Sequence, residues 1–110
     1  MHTSYAHIYS GNIALSGTSQ QTIDTCSPAT YRSVEYIVSL KDEAANGYQV
    51  SKMLVCHDGG TATITEYGIN FTNASMGVFA AAVNSTVMSL LFTPVSTSVT
   101  AKFQRTAVLI

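Results

Sequence analysis

Polar and apolar residues alternate along most of this chain, and the alternation is clearest on either side of one glycine pair. Residues 48–57 and 61–67 both show the period of two that is typical of β-strands. Asp58, Gly59 and Gly60 separate the two segments. Glycine reaches positive φ angles without a steric cost, and the turns that close tight hairpins need such angles. The pattern therefore predicts an antiparallel hairpin.

Further alternating segments predict that this hairpin belongs to a larger β-structure. Residues 31–41 have one apolar face, and strands are also expected at 78–83, 86–93 and 99–109. Three alanines make 76–83 a helix candidate as well, but Gly77 and the short distance to the next turn favour a strand. The predicted fold class is all-β: an antiparallel, jelly-roll-like β-sandwich of about seven or eight short strands.

The N-terminal part of the chain is less regular than the rest. Residues 1–30 are predicted to form an N-terminal arm or edge strands, and residues 31–110 to form the sandwich core. Both parts belong to a single domain, because a chain of 110 residues can bury one core but not two.

Charged residues are sparse in this sequence. They make up 10% of the chain, with five Lys and Arg against six Asp and Glu, whereas about one-quarter is ordinary. So few charges leave a surface poorly solvated unless hydroxyls and amides, or other subunits, cover it. We therefore expect a homo-oligomer. The near-neutral balance, without basic runs, argues against a nucleic-acid partner.

The sequence also bears on where the protein is made and on the state of its two cysteines. No segment approaches the roughly 18 apolar residues of a membrane span, so no membrane partner is expected. The first residues lack the basic head and apolar middle of a secretory signal, so synthesis in a cytoplasm is expected. Cys26 and Cys56 allow one disulfide, but two buried free thiols are the favoured interpretation, and we predict that Cys56 is buried.

Cys56, His57 and Asp58 place a thiol, an imidazole and a carboxylate in sequence, which invites a catalytic or metal-binding interpretation. Consecutive strand residues point to opposite faces, so the thiol and the imidazole cannot converge on one ligand. Asp58 is better explained as the first turn residue, where its carboxylate caps backbone amides.

The other titratable residues do not form a recognisable reaction centre. His2 and His7 lack the spacing of a zinc site. Glu66 has no second acid nearby in sequence and is expected to form a structural ion pair with Arg105 or Arg32. We predict no enzymatic activity, no catalytic residue, no metal site and no cofactor. The six tyrosines favour core and interface positions over a sugar-stacking platform, because the chain has no tryptophan.

Residues 31–108 resemble a small structural domain of tailed-bacteriophage virion proteins, of capsid decoration or tail-fibre type, including those of cyanobacterial phages. The resemblance is carried by a tyrosine-rich strand before the hairpin, the turn at His57, Asp58 and Gly59, and the Thr-Glu-Tyr-Gly exit at 65–68. Later segments at 91–94 and 105–106 also match. Cys56 replaces the usual aliphatic residue, and residues 1–30 do not match.

The resemblance implies a non-enzymatic structural role in a virion made in the host cytoplasm. If Met1 is the native start, the chain is free-standing, which favours a capsid decoration, or cement, protein. Such a protein stabilises the shell as a homotrimer bound to the major capsid protein or other virion proteins. The alternative is a tail or tail-fibre module that contacts the host surface, with glycan as one class of ligand.

The predicted interface lies near the N-terminus, outside the recognisable domain. Tyr5, His7, Ile8 and Tyr9 combine aromatic and apolar side chains in a segment without charged residues. An unpaired arm of this kind can add a strand to the sheet edge of a neighbouring subunit.

Overall fold

The computed structural model describes residues 2–110 as two antiparallel β-sheets packed face to face. The strands are β1 (Ala6–Ser16), β2 (Gln21–Cys26), β3 (Tyr31–Asp42), β4 (Gly47–His57), β5 (Ala62–Phe71), β6 (Gly77–Val83), β7 (Met88–Pro94) and β8 (Ser98–Leu109). One sheet has the order β1-β8-β3-β4-β5 and the other β2-β7-β6. The predicted all-β sandwich is confirmed. Among these residues there is no helix of the length and apolar character needed to cross a bilayer.

The chain passes between the sheets four times, at the β1–β2, β2–β3, β5–β6 and β7–β8 connections. As in a jelly roll, the first two strands lie beside the last two, β1 next to β8 and β2 next to β7. The middle of the chain departs from that plan, because β3, β4 and β5 form a meander within one sheet. This meander makes one sheet wider than the other.

The hairpin at Asp58 forms as predicted. His57 lies opposite Ala62 across the turn, and the pairing is antiparallel. One carboxylate oxygen of Asp58 accepts hydrogen bonds from the amides of Gly60 at 2.9 Å and Thr61 at 2.7 Å. Gly59 has a φ of 99°, a conformation that side chains disfavour. The turn therefore depends on both the acid and the glycine.

Apolar side chains from the facing sides of the two sheets make the core. On β3, Val34, Tyr36, Val38 and Leu40 are all nearly inaccessible to solvent, which confirms the predicted apolar face. From the narrower sheet, Met88, Leu90 and Phe92 of β7 pack against them. Alternate residues of β3 and β7 thus fill the space between the sheets.

The structure corrects the prediction for β4. Its odd-numbered residues from 47 to 57 are all buried, and its even-numbered residues are all exposed. Cys56 is exposed, so the prediction that it is buried was wrong. The buried face includes polar residues whose hydrogen bonds are satisfied: Gln49 donates to Ser51 and accepts from the amide of Met76.

The first strands are integral to the sandwich. β1 pairs with β8 from Ala6 to Ser16 without a register shift, and β2 pairs with β7. Leu15 and Ile23 are buried in the core. The segment is therefore a pair of edge strands and does not project as a free arm.

Candidate docking surface

One face of the five-stranded sheet points away from the other sheet. We call it the outer face. On β3, β4 and β8 it consists of Ser33, Glu35, Ile37, Ser39, Lys41, Tyr48, Val50, Lys52, Leu54, Cys56, Thr100, Lys102, Gln104, Thr106 and Val108. From the usual spacing of strands and residues, five strands of this length present a face of roughly 800 Å². Each partner in a standard protein interface buries about this area.

Large exposed apolar side chains concentrate on the β3, β4 and β5 half of the sheet. We call this group the apolar patch: Ile37, Tyr48, Val50, Leu54, Tyr67, Ile69 and Phe71. Leu54 is 52% exposed and Ile69 is 53% exposed. Ile69 and Phe71 pair with buried residues of β4, yet they stay exposed because the three-stranded sheet is too narrow to cover β5 fully. The apolar patch therefore wraps around the β5 edge.

A shallow depression of about 370 Å³ lies on the outer face, at the end nearest the β4–β5 turn. Leu54, Cys56 and Val108 contribute to its lining, together with the threonines of β5. Within it the Cys56 sulfur and the Thr63 hydroxyl are 3.2 Å apart. The lining fits an apolar side chain from a partner, and it holds no acid and base arranged around a nucleophile.

The outer face also carries polar and charged side chains, and some of them are engaged with other residues. The Tyr67 hydroxyl donates to a Glu35 carboxylate oxygen at 2.5 Å, which raises the pKa of Tyr67 above its usual value. Lys41 lies 3.3 Å from Glu43, which is exposed as well, so this pair adds little stability. Among residues 2–110, Lys52 and Lys102 have no ion-pair partner. The outer face thus combines exposed apolar side chains with unpaired lysines, so a partner that covers it would meet both.

The predicted interface residues do not share one surface. Tyr5 precedes β1 and is 78% exposed. Ile8 lies on the outer face side of β1, opposite Thr106. His7 and Tyr9 point to the other side, because successive strand residues alternate. The structure therefore brings together His7 and Tyr9 but separates them from Ile8.

His7 and Tyr9 both have partners within the chain. The His7 ring lies 2.6 Å from the Tyr31 hydroxyl and stacks on His2 with centroids 3.7 Å apart. Partial desolvation, with a smaller contribution from His2, lowers the pKa of His7. The Arg105 guanidinium lies 4.5 Å from the centre of the Tyr9 ring. Whether this segment contacts another protein stays a prediction.

Cys56, His57 and Asp58 diverge in space. Cys56 lies on the outer face, whereas His57 is buried on the opposite side. One ring nitrogen of His57 lies 2.7 Å from the Tyr31 carbonyl oxygen, and the other accepts the Gly59 amide at 3.0 Å. Both nitrogens thus hold the turn against β3. Within residues 2–110 no group of three potential ligands could hold a metal ion.

A buried cluster that the sequence did not predict joins the two sheets. The register of β2 shifts at Ile23, and this bulge turns both Ile23 and Asp24 inward. Asp24 accepts hydrogen bonds from the Tyr36 hydroxyl at 2.7 Å and from Arg105 at 2.5 Å. Burial, reinforced by Asp24, raises the pKa of Tyr36 far above its usual value. Arg105 therefore pairs with Asp24, and the predicted pairing with Glu66 is wrong.

The remaining predicted partner of Glu66 is engaged elsewhere. Arg32 donates to the His57 carbonyl oxygen at 3.1 Å. One carboxylate oxygen of Glu66 is shielded from solvent and has no hydrogen-bond partner in residues 2–110. No signal in the sequence distinguishes Asp24 from other acids, because a β-bulge cannot be seen in the pattern of a strand this short.

Comparison with known proteins gives a structural similarity only. No protein-family model matches this chain, and no curated protein matches it. Its fold is similar to part of the tailspike protein of Acinetobacter phage vB_ApiP_P1, with a TM-score of 0.50 and 18% sequence identity. The similarity covers all of this chain and 22% of the tailspike chain. The sandwich is therefore a fold found in a phage virion protein.

Proposed function

We propose that this chain is a non-enzymatic structural module of a tailed-bacteriophage virion, and that it belongs to the tail. The similarity to part of a tailspike protein supports the tail location. The resemblance of the segment around His57, Asp58 and Gly59 to phage virion domains supports the virion context. Capsid decoration, the first expectation from the sequence, stays a prediction, since the tailspike similarity favours the tail alternative.

The observation that carries the proposal is the apolar patch on β3, β4 and β5. Soluble monomers rarely expose contiguous apolar areas larger than a few hundred square ångströms, and larger ones mark contact sites. Tyr67, Leu54 and Ile37 are large apolar side chains on neighbouring strands, and each is at least 41% exposed. A module that works by being packed against other virion proteins accounts for this surface.

The chemistry of the chain supports a structural role as well. His57 and Asp58 both stabilise the hairpin turn, and Asp24 is engaged with Tyr36 and Arg105. These groups are thus committed to the fold. Contact with the host surface, including glycan, remains part of the tail proposal, and exposed tyrosines such as Tyr48 offer stacking faces.

The test is quantitative mass spectrometry of purified virions separated into heads and tails. We expect the protein at low copy number in the tail fraction. High copy number in the head fraction would support capsid decoration and overturn the tail assignment. Absence from both fractions would overturn the virion role altogether.

A pair of variants tests the outer face. Leu54→Lys places a charge within the apolar patch, and Ser85→Lys places one at an exposed position of the β6–β7 turn, in the other sheet. We expect Leu54→Lys to reduce incorporation into virions and Ser85→Lys to leave it unchanged. Equal incorporation of both, at equal thermal stability, would show that the patch is not the contact.

A further inference from the structure

The five-stranded sheet ends in two edge strands, β1 and β5, whose outward backbone groups can be identified. On β1, the Leu109 amide donates to the Tyr5 carbonyl at 2.9 Å, and the Gly17 amide donates to the Thr97 carbonyl at 3.0 Å. Tyr5 and Gly17, which flank β1, are both odd-numbered, and the pairing of β1 with β8 continues between them without a register shift. In an antiparallel ladder, alternate residues bond to the same neighbour. The even-numbered residues of β1 therefore direct their amides and carbonyls away from β8.

The chain itself covers both ends of the β1 edge but leaves its middle open. Ala6 exchanges hydrogen bonds with Thr3, and the Ser16 amide donates to the Gln21 side chain. Between these ends, three outward-facing residues have no backbone partner on that side within residues 2–110: Ser10, Asn12 and Ala14.

The β5 edge is open over its whole length. The Thr72 amide donates to the Tyr48 carbonyl, and the Asp58 amide donates to the Thr61 carbonyl. These two hydrogen bonds determine which β5 residues direct their backbone groups toward β4 on either side of the bulge at Tyr67. The residues whose backbone groups face outward are Ala62, Ile64, Glu66, Ile69 and Phe71, and none has a backbone partner on that side in the described part of the chain.

Neither edge has much of the protection that monomeric β-proteins use. Such edges are normally short, charged, interrupted by proline or twisted by bulges. β1 has eleven residues with no Asp, Glu, Lys, Arg or Pro and no bulge. β5 has ten residues, one charged side chain at Glu66, and one bulge. Both edges are suited to strand addition.

We propose that the β1 edge of one copy of this chain pairs with the β5 edge of the next copy, head to tail. Repetition around a closed ring satisfies both open edges of the five-stranded sheet. A symmetric β5 to β5 pairing would leave β1 open. The homotrimer predicted from the sequence is one such ring. The contact concerns the chain alone and does not rest on the proposed virion role.

Proline substitutions at outward-facing amides remove edge donors without breaking the internal ladder. Asn12→Pro blocks the β1 edge and Ile69→Pro blocks the β5 edge. Asn12→Ala and Ile69→Ala are the matched controls, because they shorten the same side chains and keep the amides. Far-UV circular dichroism and thermal unfolding check that each variant is folded.

Size-exclusion chromatography with light scattering gives the mass of each species. We expect the wild type and both alanine controls to be oligomeric and each proline variant alone to elute as a single chain of 11.7 kDa. An equal mixture of Asn12→Pro and Ile69→Pro should give a species of twice that mass, since one intact edge of each kind remains.

Three results would overturn the proposal: a wild type that is monomeric at every concentration, a proline mixture that stays monomeric, or an Asn12→Pro variant that dimerises by itself. If either proline variant fails to fold, Ser10→Lys and Asn70→Lys replace the pair. Gln104→Lys is then the control, because Gln104 lies opposite Ser10 on an internal strand. Lysine at the two edge positions should lower the mass, and lysine at the control position should not.

Discussion

Asp24→Asn is the substitution that most directly tests how the two sheets are joined. Asp24 lies on β2 of the narrower sheet, and its carboxylate accepts hydrogen bonds from Tyr36 on β3 and Arg105 on β8. The side chains of both Arg105 and Asp24 are largely buried, at 12% and 8% exposed. The variant keeps the shape of the side chain but leaves Arg105 without a counter-charge.

The expected cost follows from what Arg105 loses and what it keeps. Removing one partner of a buried ion pair costs about 3 to 5 kcal/mol, because an uncompensated charge stays in the interior. Arg105 retains a hydrogen bond to the Thr25 carbonyl at 3.0 Å and its contact with the Tyr9 ring. We therefore expect the lower end of that range, about 3 kcal/mol. For a domain of this size it lowers Tm by roughly 12 °C.

Urea unfolding followed by circular dichroism measures the change in unfolding free energy. Tyr36→Phe removes only the hydroxyl donor to Asp24 and should cost less, about 1.5 kcal/mol. Glu43→Gln breaks the exposed pair with Lys41 and should change the unfolding free energy very little, since solvent screens such pairs. If Asp24→Asn unfolds within about 0.5 kcal/mol of the wild type, the cluster does not stabilise the junction between the sheets.

Three further outcomes are expected. Gly77→Ala should destabilise the protein by roughly 2 to 4 kcal/mol, because a Cβ there would clash with the Thr93 carbonyl oxygen of β7 at a φ of +155°. Gly60→Ala meets no close atom and should be mild, and equal unfolding free energies for the two variants would contradict this. In the isolated chain a thiol reagent should label exposed Cys56 quickly and Cys26 only on unfolding, since burial raises the pKa of the Cys26 thiol; fast modification of both would refute the burial of Cys26. A serine hydroxyl and two backbone amides hold the pKa of Asp42 below its usual 3.8, so the stabilisation by its carboxylate is present above that pH and is lost as the pH falls through the folded-state pKa. The difference in unfolding free energy between the wild type and Asp42→Asn, measured by urea unfolding, should therefore shrink on acidification. A difference that does not change with pH would contradict this.

The hairpin and the apolar face of β3 could be predicted because local sequence determines them. Gly59 adopts its positive φ without a steric clash because it has no side chain, and the Asp58 carboxylate accepts hydrogen bonds from the turn amides. Val34, Tyr36 and Val38 follow each other at a spacing of two, which a strand places on one face and a helix does not. Neither feature depends on distant parts of the chain.

The orientation of β4 could not be predicted from its pattern. Both of its faces carry apolar residues, and the buried face also carries Gln49, Ser51 and His57. These polar side chains are buried because partners elsewhere in the chain satisfy them, including Met76 for Gln49. The sequence does not show such partners, so Cys56 was assigned to the wrong face.

The position of the apolar patch could not be predicted from the sequence. Sparse charge led us to expect that other subunits cover part of the surface, which stays a prediction, and the structure shows large exposed apolar side chains on β3, β4 and β5. The extent of β5 was underestimated, since the strand continues to Phe71 through a bulge at Tyr67. The exposure of Ile69 arises from the unequal widths of the two sheets, which is a tertiary property.

The labelling rate of Cys56 tests the proposal that this module works by being bound through its outer face. Cys56 lies on that face beside Leu54 and lines its depression. We predict that a thiol reagent modifies Cys56 quickly in the purified chain and many times more slowly in intact virions. Equal rates in the two preparations, with the protein present in the virion, would contradict the claim.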